Sequence, residues 1–200
     1  MKPDRYYRVW YRIARVLVGI FYRLHVSGRE NIPCGAAIVC ANHSSRIDPF
    51  LMAFAFGPCH HVHFIAKISL FKVPVLAGIL KKLGMISVDR SMSDVSTIKN
   101  TLKYLKNGEK VAIFPEGRRA AAEGDVSAKS GAVKLAVRAG VPLVPVFIPR
   151  KKPLFRKIPL IIGESYCIEK RDRDPPEYAA LSENLMRAIA ALDPAAREGL

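Results

Sequence analysis

Short strand-like runs recur along this chain with helical patterns between them. AAIVCA at 36–41, HVHFIA at 61–66, MISVD at 85–89, KVAIF at 110–114, VPLVPVFI at 141–148 and PLIIG at 159–163 are each five to eight residues long. Runs without polar alternation belong to strands buried on both faces, and strands separated by helices pair mostly in parallel. The intervening helices are marked by their spacing and stops. Asp48-Pro49 opens one through about Phe56, and a short one within 73–84 ends at Gly84. Val95, Ile98, Leu102 and Leu105 give a third, closed by Gly108. Residues 129–139 are closed by Gly140, and 176–191 carry Leu181, Leu185 and Ile189 at spacing four. The pattern predicts an α/β fold: a single domain with a mostly parallel or mixed central sheet flanked by helices. Proline at 142, 145 and 149 places the VPLVPVFIP strand near a sheet edge. Two hundred residues suffice for one core, and no repeat or linker divides them.

The start of the chain follows another rule. Arg5, Arg8, Arg12 and Arg15 fall on one face of a helix, and Trp10, Ile13, Leu17, Ile20, Phe21 and Leu24 on another. Four arginines centred in a bilayer would cost about 2.5–3.5 kcal/mol each. A helix lying flat in the interface avoids that cost and meets anionic headgroups. Residues 1–24 are therefore expected to form an amphipathic membrane-surface helix, and 25–200 the main domain. The alternative is a helix packed on the protein's own core. No run of 18 uncharged apolar residues offers a bilayer span, and no signal-peptide apolar region forms. The four cysteines have no CxxC spacing and are expected to be reduced thiols.

Charge narrows the partners. Lys and Arg total 32 against 17 Asp and Glu, a net charge of +15, which points to an anionic membrane, nucleic acid or phosphorylated substrates. No RRM, KH, zinc-finger or helix-turn-helix signature supports nucleic acid. CHHVH at 59–63 offers Cys59, His61 and His63 as zinc ligands, but it reads as a strand entering the core.

Chemistry concentrates where strands end. NHSSRID follows the first buried run and sets His43 five residues before Asp48. A one-turn loop lets Nδ1 face the carboxylate while Nε2 faces substrate, two-thirds of a Ser-His-Asp arrangement lacking its nucleophile. Ser44, Ser45 or a substrate hydroxyl would supply it. On the bland alternative, Asp48 only caps a helix and asparagine replaces it at little cost. FPEGRR at 114–119 follows another strand, and open α/β sheets bind ligands at the carboxyl ends of their strands. Gly117, Arg118 and Arg119 suit a phosphate, while Glu116 can orient an arginine or a substrate hydroxyl. GMISVDR sets Arg90 at a third strand end.

These blocks, in the order NHSSRIDPF, GMISVDR, FPEGRR and VPLVPV, resemble the glycerolipid acyltransferases, and most closely the 1-acylglycerol-3-phosphate acyltransferases. The resemblance covers about residues 25–165 and extends to Lys67 and Pro74 between the first two blocks. It implies transfer of an acyl group from acyl-CoA or acyl carrier protein to the free hydroxyl of a lysophospholipid acceptor, in phospholipid biosynthesis. His43 is then the general base and Asp48 its partner. Arg90, Glu116, Gly117 and Arg119 hold the acceptor phosphate, Val141 to Val146 lie near an acyl chain, and Lys67 is a candidate oxyanion donor. No metal or prosthetic cofactor is implied, and no nucleic acid. The enzyme would be peripheral or monotopic on the cytoplasmic face of the cell membrane. Arg118 and Ala120 depart from the usual Thr or Ser and Ser, which leaves a related acceptor such as an aminolipid open. A non-catalytic membrane-surface protein is the remaining alternative.

Overall fold

A computed structural model describes residues 5–89, 95–119, 128–168 and 177–197. The elements run α1 (Arg5–Phe21), β1 (Arg23–Ser27), β2 (Ala37–Ala41), α2 (Asp48–Phe56), β3 (Val62–Lys67), α3 (Pro74–Lys82), β4 (Ile86–Val88) and α4 (Val95–Lys106). They continue with β5 (Lys110–Ile113), α5 (Gly131–Ala139), β6 (Leu143–Phe147), β7 (Lys157–Ile162), α6 (Tyr178–Ala190) and α7 (Pro194–Arg197). The seven strands form one sheet in the order β1-β7-β6-β2-β5-β3-β4. All pairs are parallel except β6 with β7.

Every residue of β2 is buried, which is why its sequence shows no polar alternation. Val39 and Ala41 face Leu51, Met52 and Phe56 of α2. Ile38 and Cys40 face Leu105 of α4, Val133 and Leu135 of α5 and Leu185 and Ile189 of α6. The sheet is thus sandwiched between two helical layers, as the runs of apolar residues require.

Two expectations fail. The strand with the prolines is not near an edge: β6 lies between β7 and β2. Pro145 is tolerated there because its carbonyl, accepting from Gly163 N–H at 2.9 Å, marks the side toward β7. A residue's N–H shares that side, and the antiparallel ladder with β7 is short, starting only at Val146. The missing donor therefore costs no bond to β2. The second failure is β1, an unpredicted edge strand. Arg23–Ser27 alternates exposed and half-buried residues, and Leu24 was assigned to the helical pattern before it.

α1 ends at Phe21 and docks by a stripe distinct from either predicted face. Tyr7, only 6% exposed, stacks on His61 at 3.9 Å between centroids, His61 lies 4.1 Å from His63, and His63 stacks on Tyr104 at 3.8 Å. Tyr11 sets its ring edge against Phe54, and Val18 joins the core. The opposite stripe of Val9, Ile13, Val16, Leu17 and Ile20 stays 45–65% exposed. The helix is packed on its own core and still presents an apolar face outward. No helix among the described residues is long and apolar enough to cross a membrane.

The CHHVH segment is part of that ring stack. His63 Nδ1 faces the Gly84 carbonyl at 3.0 Å and Nε2 lies against Glu109, while His61 Nε2 faces the Leu83 carbonyl at 3.0 Å. Burial pushes the His63 imidazole down to about 4, so it packs as a neutral ring. Among the described residues no cluster of three potential metal ligands forms.

Candidate active site

Three adjacent parallel strands, β6, β2 and β5, end on one side of the sheet and bring three loops together. The β2 loop is clamped first. The Asn42 side-chain amide donates to the Ile148 carbonyl at 2.6 Å and accepts from Ile148 N–H at 2.9 Å, tying it to the end of β6. His43 comes next, its ring stacked on Phe114 at 4.1 Å and 19°. Its Nδ1 lies 3.0 Å from Asp48 Oδ2.

Asp48 is completely buried. It opens α2, but its carboxylate turns back into the loop and does not cap the helix. Oδ2 accepts Ser44 N–H at 2.8 Å and Ser45 N–H at 2.7 Å besides the imidazole. Oδ1 lies 2.9 Å from Lys152 Nζ. Burial alone would raise this carboxyl. The hydrogen bond to His43, the Lys152 ammonium and the Ser45 amide outweigh burial and hold it below its usual value. The reading of Asp48 as a mere N-cap is therefore set aside.

β5 ends in a turn, Phe114-Pro115-Glu116-Gly117, closed by Gly117 N–H donating to the Phe114 carbonyl at 2.9 Å. Proline second and glycine fourth suit such a turn, and Gly117 takes φ 68°. A side chain at 117 would also press on Lys129, whose Cδ and Cε lie 3.0 Å from where its Cβ would be. Glu116 is 2% exposed. It accepts His43 backbone N–H on Oε2 at 2.9 Å and the Arg150 guanidinium on Oε1 at 3.0 Å. Of its two predicted uses, the structure gives it the arginine. A buried carboxylate with both oxygens on protein donors positions the His43 backbone. Arg118 and Arg119 follow, exposed at the same strand end. Lys67 is exposed at the end of β3, two strands from β2. Arg90 lies outside the described residues.

Sequence reasoning passed over three contributors. Phe114 reads as the last residue of a strand, and Arg150 and Lys152, in the run RKKP, carry no motif that assigns them a role. Their only signal is position: the run follows the carboxyl end of a strand in the same block pattern.

The arrangement is a histidine, fixed by a buried carboxylate, at the end of β2, with exposed arginines just beyond the end of the neighbouring strand β5. Residues 23–149 match the sequence family described as Acyltransferase. The 1-acyl-sn-glycerol-3-phosphate acyltransferase of Bacillus subtilis is 35% identical over 195 residues, covering 94% of this chain and 96% of that protein. The enzyme of the same name from Pseudomonas aeruginosa is 33% identical over 144 residues, covering 70% of this chain and 53% of its own length. The crystal structure of the 1-acyl-sn-glycerophosphate acyltransferase PlsC from Thermotoga maritima superposes with a TM-score of 0.69 at 28% identity, over 93% of this chain and 78% of that one. A shared α/β scaffold alone would leave the chemistry open; with the ordered blocks, the match across the strand-end loops and a relative aligned end to end, the chain belongs to the acyltransferase family.

Proposed function

We propose that the chain acylates the free sn-2 hydroxyl of 1-acylglycerol 3-phosphate, giving phosphatidic acid, with acyl-CoA or acyl carrier protein as donor. The observation that carries this is His43 held by Nδ1 against Asp48, which leaves Nε2 for the acceptor. The acceptor hydroxyl supplies the nucleophile that the protein lacks. As its oxygen bonds to the thioester carbonyl carbon, Nε2 takes the hydroxyl proton and Asp48 stabilises the imidazolium. The tetrahedral intermediate then expels the thiolate, which takes that proton from His43. Arg119 and Gly117 receive the acceptor phosphate, with Arg90 as a further donor from the second block.

The names of the relatives support this acceptor, and Arg118–Arg119 favour a phosphate over a neutral headgroup. The purified protein, given acyl-CoA or acyl carrier protein, is expected to acylate lysophosphatidate ahead of neutral lysolipids and aminolipids. A preference for an aminolipid would overturn the assignment of the acceptor. In the same assay Arg119→Ala should raise the apparent KM for lysophosphatidate by roughly 10- to 150-fold, the effect of losing charge-assisted bonds of about 1.5–3 kcal/mol. A change confined to the donor KM would move the phosphate site elsewhere.

The membrane assignment rests on α1, which ends at Phe21, short of the helix expected through residue 24. Its outward stripe is joined by Phe21, which packs on Phe155, and both are exposed. The loop holding Phe155 leaves β6 at the end of the sheet where His43 stands, so the apolar surface and the histidine share that end. We place the enzyme on the cytoplasmic face of the cell membrane, docked without spanning it. Leu17→Asp with Ile20→Asp should lower binding to anionic liposomes at least tenfold, read by flotation, with Tm little changed because both residues are already exposed. Unaltered flotation would rule out α1 as the contact.

A further inference from the structure

Lys152 is a charged residue that sequence reasoning passed over, and its surroundings are unusual. Its side chain is 4% exposed. The ammonium donates to Ser44 Oγ at 2.7 Å and to the Arg150 carbonyl at 3.4 Å, and lies 2.9 Å from Asp48 Oδ1. A lysine is almost never buried this far unless something demands it. The demand here is asymmetric. Three N–H groups converge on Asp48 Oδ2, from His43, Ser44 and Ser45, while Oδ1 meets the Lys152 ammonium.

We infer that Lys152 is a positioning residue for acyl transfer: its buried ammonium neutralises Asp48 and keeps the His43 imidazole available as a base. This rests on the proposed roles of His43 and Asp48. The reason is electrostatic. A bare carboxylate in a dry site draws a proton onto the imidazole beside it, and a protonated imidazole accepts no proton from a hydroxyl. A cation on the far oxygen cancels part of that pull. The carboxylate still fixes the ring through Nδ1, so orientation and proton affinity are set by different oxygens of one residue. The other groups around His43 do not replace this cation. Glu116 meets its backbone and is already paired with Arg150, Phe114 contributes a ring face, and the Ser44 and Ser45 amides are spent on Asp48 Oδ2. Lys152 also fixes Ser44 Oγ by donating to it.

The test is Lys152→Met, which keeps the stem and removes the charge, with Lys152→Gln carrying the measurement if the methionine protein does not accumulate folded. The acid limb of kcat/KM against pH should move up by about one pH unit, the lower end of what one close charge does. Activity then falls about tenfold below the limb and much less above it, with the acceptor KM unchanged. In protein labelled with 15N-histidine, the His43 titration midpoint should rise by the same amount. Lys152→Arg, which keeps the charge, should leave the midpoint in place. A loss of activity equal at every pH, with an unmoved midpoint, would overturn the inference and reduce Lys152 to a packing role. The resonance shift does not depend on turnover, and His43→Ala assayed in parallel tests the general-base reading separately.

Discussion

His43→Ala is expected to lower kcat/KM by about a hundredfold to ten-thousandfold, the usual worth of a positioned general base. The fold should survive. The ring stacks on Phe114 and bonds Asp48, but its backbone N–H, which anchors the loop on Glu116, is untouched by the substitution. Far-ultraviolet circular dichroism and liposome flotation should therefore match the parent protein. The loss should appear in kcat, because the histidine bonds the acceptor hydroxyl most strongly as its proton departs. Activity within tenfold of the parent, with matched dichroism, would remove His43 from the chemistry and return attention to Ser44 and Ser45.

Asp48→Asn should cost both activity and stability. On activity, an amide next to Nδ1 no longer selects the tautomer whose Nε2 is free, and a loss of about 10²–10⁴-fold is expected in kcat. On stability, the carboxylate is fully buried beside a Lys152 ammonium that is 4% exposed. Asparagine leaves that cation without a counter-charge, and breaking a buried pair from one side costs about 3–5 kcal/mol. For a chain of this length that lowers Tm by roughly 6–20 °C. On the sequence alone asparagine is expected to cost little stability, because it caps helices as well as aspartate does. The fold removes that argument, since the carboxylate bonds loop amides and not the helix. The pH dependence has a definite sign. A depressed carboxyl contributes stability that is full above its unfolded value of 3.8 and is lost as pH falls through its lower folded value. The gap between parent and Asp48→Asn Tm should therefore close as pH drops below about 4. A gap that persists unchanged at pH 2–3 would mean the carboxylate charge is not what stabilises the loop.

The sequence showed best what depends on local pattern. β2 and β5 were readable because burial on both faces leaves an uninterrupted apolar run, and α2 because Asp48-Pro49 punctuates it. His43 with Asp48 was readable because five residues make a single turn. What failed depends on neighbours distant in sequence. Strand β1 is five residues of exposed and half-buried alternation, and only β7, near the other end of the chain, makes it a strand. Pro145 argued for an edge, but which side of a strand a missing donor faces is settled by pairing. Glu116 was expected to orient an arginine or a substrate hydroxyl, and which arginine it meets, Arg150 at 34 positions away, is settled only by the fold. Lys152 carries no local signal at all, because its contact with Ser44 spans 108 positions.

The placement of β1 also fixes an order in time. Its end is secured from far along the chain, with the Asn31 side chain bonding the Ile162 carbonyl across 131 positions. At about 5–20 residues per second, roughly 7–26 s of synthesis separate the two. Through that interval α1 exists without the strand pair that later fixes its exit, and its apolar stripe is complete before the sheet that carries it. Closing so long a loop is the slow kind of step in folding. The helix that ends up facing outward is thus made before the sheet it lies on, while the strand attached to it is among the last to find its partner.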